Sequence, residues 1–160
     1  GQVPVVRVLP SINARVLSAC SALCPGSGVS EQQIALAQSM FESVGTVHRV
    51  TEPQLRPFTA LAGAAPAFLF QFVDALASAG VQAGLPRGLS QDIATQMALG
   101  SAKLLADSGE HPRQLMDLVQ SPGGTTVEGV HALDRCGFSH AVHQAVRAVI
   151  DKDKQLGGEH

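Results

Sequence analysis

Followed along its 160 residues, the chain shows two hydrophobic rhythms, a short-period one near the start and a longer one after it. Residues 3–9, VPVVRVL, are rich in β-branched side chains and end at Pro10-Ser11, which predicts a strand. The apolar run Ala19–Cys24 stops at Pro25-Gly26 and predicts a second strand. Ser30-Glu31-Gln32-Gln33 then has the spacing of a capping box, with Ser30 as N-cap and Gln33 three residues on. Ile34, Ala37, Phe41 and Val44 follow on one helical face, and Gly45 stands where a helix-ending glycine belongs. Thr46–Val50 alternates again, as a third strand would. Residues 1–50 therefore read as a fragment of an α/β layer.

Beyond Glu52 the pattern turns almost wholly helical. Leu55–Ala79 is continuously apolar, interrupted by Gly63 and Pro66, and predicts a buried hairpin or kinked helix. Its most apolar part, Phe58–Phe72, is too short and too interrupted to span a bilayer and reads as a buried core helix. Gly84-Leu85-Pro86 is a turn, and Ser90-Gln91-Asp92 opens a helix reaching Leu105. His111-Pro112 opens a short helix to Val119. After the loop Ser121-Pro122-Gly123-Gly124, Thr125 or Thr126 is the expected cap of a helix to Arg135. Gly137-Phe138-Ser139 leads into a last helix, His140–Lys154.

Composition narrows the function classes. Charged residues are 15% of the chain, below the roughly 25% usual for soluble domains, while hydrophobic residues are 45%. That deficit points to surface covered by a partner. With 11 Lys+Arg against 13 Asp+Glu, and neither Trp nor Tyr, no electrostatic or stacking footprint for nucleic acid exists. Cys20, Cys24 and Cys136 have no metal-ligand spacing, so buried reduced thiols and no metal are expected. No positively charged signal-peptide n-region opens the chain, and a cytoplasmic protein without membrane contact is expected.

The loop Ser121–Thr126 is the most informative place for chemistry. Paired glycines let the backbone approach a ligand, and the following helix offers unpaired N–H groups and a positive dipole end. A small carboxylate or phosphate fits there, with hydroxyls from Ser121, Thr125 and Thr126; a plain capped connector is the alternative. No P-loop lysine follows. Nor does any G-x-G-x-x-G follow a strand: Gly26-Ser27-Gly28 leads to Glu31 at the sixth position. The chain by itself is expected to bind no dinucleotide tightly.

Three strings carry a resemblance. Asp74-Ala-Leu-Ala-Ser-Ala-Gly-Val-Gln-Ala-Gly-Leu-Pro-Arg87, Leu99-Gly-Ser-Ala-Lys-Leu-Leu105 and His111-Pro-Arg-Gln-Leu-Met-Asp-Leu-Val-Gln-Ser-Pro-Gly-Gly-Thr-Thr126, followed by Gly137-Phe138, resemble the C-terminal half of the pyrroline-5-carboxylate reductase family. The resemblance implies a mainly α protein: an interleaved helical dimerisation and substrate domain over 51–157, preceded at 1–50 by the end of a Rossmann-type segment, with a tail at 158–160. It also implies an oxidoreductase of proline biosynthesis, reducing 1-pyrroline-5-carboxylate to L-proline with NADP(H) or NAD(H). The partners it implies are the small-molecule substrate and a second copy of the chain, as homodimer or larger oligomer.

Residue by residue, the resemblance implies that Ser121 and the backbone N–H groups of Gly123, Gly124 and Thr125 hold the substrate carboxylate. Thr126 is then the catalytic residue beside the imine nitrogen, and Pro10 and Ser11 lie near the cofactor. Two segments depart from the family. Leu9-Pro10-Ser11-Ile12-Asn13 stands where Met-Pro-Asn-x-Pro is usual, and Ala62-Gly63-Ala64-Ala65-Pro66 where Ser-Gly-Ser-Gly-Pro is usual. A non-catalytic dimerisation or regulatory module, or a reductase of another cyclic imine, fits these departures as well. The fragment without the upstream glycine fingerprint is expected to be inactive alone.

Overall fold

The computed structural model describes residues 3–157; the tail expected at 158–160 lies outside them. Its elements are β1 (Val6–Pro10), a 3-10 turn (Ile12–Val16), β2 (Ala19–Pro25), α1 (Glu31–Glu42), β3 (Gly45–Arg49), α2 (Glu52–Gln82), α3 (Arg87–Ser108), α4 (Pro112–Val119), α5 (Thr125–Arg135) and α6 (Phe138–Gly157). A small sheet followed by helices is the partial α/β segment and mainly α architecture that the sequence predicts.

The chain forms two compact units. One comprises the sheet, α1, the first part of α2 to Ala67 and α6 from Gln144; the other runs from Phe68 to His143. In the first unit the strand order is β1-β2-β3, with β1 antiparallel and β3 parallel to β2. Parallel neighbours need a crossover, which α1 supplies. The expected capping box starts α1: the Gln33 N–H donates to Ser30 Oγ at 3.3 Å, and the Ser30 N–H to Gln33 Oε1 at 2.9 Å. Thr51 and Gln54 repeat half of that device at the start of α2, the Thr51 N–H donating to Gln54 Oε1 at 2.8 Å.

Central β2 is buried along most of its length, with Ala19, Ser21, Ala22, Leu23 and Cys24 all inaccessible. Leu55 of α2 packs with Ala22 and Cys24, and Leu9, Val50 and Phe58 flank them. Ile34 is the residue that α1 buries. Gly45 does not end α1, as its position suggested; it opens β3 with φ +151°. A Cβ there would run into the backbone of Ala19 on β2, so the close strand approach requires glycine.

The expected hairpin or kinked helix is one continuous helix of 31 residues. Pro53 sits in its first turn, where a missing N–H costs nothing. Pro57 is inside the helix, and just after it Thr59–Ala64 widen into a π turn. Leu55, before the wider turn, and Ala60, within it, are both buried. Nor is the apolar part of α2 a buried core helix: only 11% of its most apolar window is buried, and Leu61, Leu69 and Phe70 are exposed. By length and mean hydropathy, 1.5, it is long and apolar enough to cross a membrane, contrary to the expectation from the short Phe58–Phe72 stretch with its Gly63 and Pro66.

In the second unit α3 begins at Arg87, three residues before the expected Ser90, with Pro86 as N-cap. Ser90 is buried instead, and its hydroxyl donates to the Ala77 carbonyl of α2 at 2.6 Å. Phe72 and Phe138 meet at 6.0 Å between ring centroids. The last helix starts at Phe138 and not at His140. Of the three cysteines only Cys24 is buried; Cys20 is half-buried and Cys136 exposed, which corrects the expectation of buried thiols, and all three are free.

Candidate functional site

The site is built from the turn between α4 and α5. Helix α4 is fixed at its start by His111: the Arg113 N–H donates to His111 Nδ1 at 3.2 Å, and the His111 N–H to Gln114 Oε1 at 2.9 Å. The spacing His-Pro-x-Gln carried that capping signal, with histidine in the place of the usual hydroxyl. At the other end the Gln120 side chain donates to the Met116 carbonyl at 3.3 Å, and extended backbone at Gln120 ends the helix. The chain then turns through Ser121-Pro122-Gly123-Gly124, closed by a hydrogen bond from the Gly124 N–H to the Ser121 carbonyl at 2.9 Å. Gly123 has φ +68°, a conformation that glycine adopts without steric cost.

Gly124, not Thr125 or Thr126, is the N-cap of α5, and no side chain caps the helix. A Cβ at Gly124 would meet Ser121 Oγ, so a larger residue there would need the Ser121 hydroxyl to turn away. The two threonines occupy the first two helical positions, and their hydroxyls are left for other partners. Ser121, Thr125 and Thr126 are exposed and Gly124 half-buried. The resulting surface presents first-turn N–H groups without a side-chain acceptor beside three hydroxyls. No ionisable side chain lies within Ser121–Thr126, so the groups it offers are hydrogen-bond donors and acceptors. The Gly124 N–H is already engaged within the turn, which leaves the donors of α5 as the outward-facing set.

Pro10 and Ser11 belong to the other unit. Pro10 is exposed at the end of β1, whereas Ser11 is buried and its Oγ accepts the Cys20 N–H at 3.1 Å. Its backbone N–H donates to the Cys20 carbonyl at 3.2 Å, so Ser11 closes the β1–β2 ladder. Ala62–Ala65, at the second departure from the family pattern, spans the end of the π turn and the residue after it, where no hydroxyl is available.

Comparison with known proteins resolves what the turn belongs to. The family model described as pyrroline-5-carboxylate reductase dimerisation matches residues 52–156. The chain belongs to the pyrroline-5-carboxylate reductase family. It is 39% identical over 153 residues to the pyrroline-5-carboxylate reductase of Synechocystis sp., covering 96% of this chain and 57% of that protein. The Escherichia coli reductase is 35% identical over 152 residues, with 95% and 56% covered. Among solved structures, 1-pyrroline-5-carboxylate reductase from Streptococcus pyogenes superposes with TM-score 0.90 at 37% identity, covering 96% of this chain and 59% of that one. The Plasmodium falciparum pyrroline carboxylate reductase with NADP bound superposes with TM-score 0.90 at 30% identity, covering 99% and 64%. The chain thus spans a little over half the length of the reductases it matches, and its helical part is their dimerisation domain.

Proposed function

We propose that the protein containing this chain reduces 1-pyrroline-5-carboxylate to L-proline, and that the turn Ser121–Thr126 holds the substrate carboxylate. The observation that carries this reading is the side-chain-less cap at Gly124, which leaves α5 with unpaired N–H donors next to three hydroxyls. The carboxylate takes the N–H groups of Thr125 and Thr126 and the Ser121 hydroxyl, with Gly123 and Gly124 shaping the turn beneath it. The Thr126 hydroxyl is the catalytic group: it donates to or relays a proton toward the ring nitrogen, which must gain one as the C=N bond is reduced. NADP(H) or NAD(H), when bound, would supply the hydride to the C=N carbon, with Pro10 and Ser11 as the residues of this chain that would contact it. Orientation of a small rigid ring is the main task left to the protein.

A second copy of the chain covers the exposed apolar face of α2, making a homodimer or larger oligomer, in a cytoplasmic enzyme of amino-acid biosynthesis. Full-length protein assayed with pyrroline-5-carboxylate and NADPH should turn over, and Thr126→Ala should lower kcat about a hundredfold while the melting temperature stays put. Absence of turnover above background would overturn the proline assignment. A second reading rests on the lost hydroxyls at Ala62–Ala65 and the internally bonded Ser11: reduction of another cyclic imine, or a purely structural dimerisation module. A panel of cyclic imino acids separates the first of these, and calorimetric binding of proline to the full-length protein the second.

A further inference from the structure

We draw no further inference here: the strongest candidate, the cavity of about 910 Å³ beside β1 lined by Arg7, Leu9, Glu52, Arg56, Ile150 and Asp153, has both its arginines paired with carboxylates of its own wall, and nothing in the structure shows what covers or fills it.

Discussion

In the sheet-containing unit Leu23 keeps 1% of its accessible surface; in the helical unit Leu99, equally apolar and equally set in a regular element, keeps 63%. The contrast runs through both units. Around the sheet, residues from β2, α1 and α2 bury one another, whereas between Phe68 and His143 only Ala77, Ser90 and Ala94 are buried among the described residues. Helix α3, 22 residues long, buries two of them and leaves Leu89, Ile93, Leu104 and Leu105 in solvent. A sheet with helices on it closes its own core. Helices carrying apolar residues on several faces do not, and their folded state counts on another surface.

The largest test of this difference is assembly. Phe70 is 60% exposed on α2. Burying each such ring contributes roughly 1.5–3 kcal/mol, and a two-fold interface counts it twice. Phe70→Asp should therefore weaken the oligomer by at least about 3–6 kcal/mol, read by analytical ultracentrifugation as a shift toward monomer. An unchanged sedimentation profile means that this face is not the interface. The same helix should fail to carry the protein onto neutral lipid vesicles in flotation; co-flotation would assign the face to lipid instead.

Next comes the self-contained core. Leu23→Ala should destabilise by about 2–5 kcal/mol at any protein concentration. Leu99→Ala should cost little at dilution and become costly only where the oligomer is populated. Equal and concentration-independent losses at both sites would erase the distinction between the units. A smaller effect belongs to the capping box of α1: Ser30→Ala should cost about 1 kcal/mol, seen as a lower denaturant midpoint.

The smallest effect is a pH dependence. Burial, reinforced by the hydrogen bond from its thiol to Glu52 Oε2 at 3.5 Å and by that carboxylate's charge, pushes the Cys24 thiol above the usual range, with Arg7 acting weakly the other way. A thiol held protonated in the folded state contributes its stability fully below the ordinary thiol pKa. That contribution is lost as pH rises through the raised value. Between neutral and alkaline pH the urea midpoint should fall more for the wild type than for Cys24→Ala. Cys136, exposed, should react with an alkylating reagent well before Cys24.

How much of this was legible in the residues differs by element. Ser30-x-x-Gln33 announced α1 because a capping box is a local device, complete within four residues. The turn at Ser121–Gly124 was legible for the same reason. Its cap was not, since glycine and threonine cap about equally well and the local pattern does not say which of Gly124, Thr125 and Thr126 takes the position. The burial of α2 was misread because periodicity reports which residues are apolar and is silent on which chain covers them. Gly63 and Pro66 suggested a break, yet a π turn over Thr59–Ala64 absorbs the disturbance without ending the helix. Ser90, expected to open a helix, instead reaches across to α2, a tertiary contact that no local pattern encodes.

That serine also ties two positions into a single steric allowance. A Cβ at Gly80 would strike Ser90 Oγ, the atom that donates to the Ala77 carbonyl. Room at 80 and reach at 90 are thus one shared quantity. In related sequences a larger residue at 80 should appear only beside a smaller one at 90, so the two sites drift together or not at all.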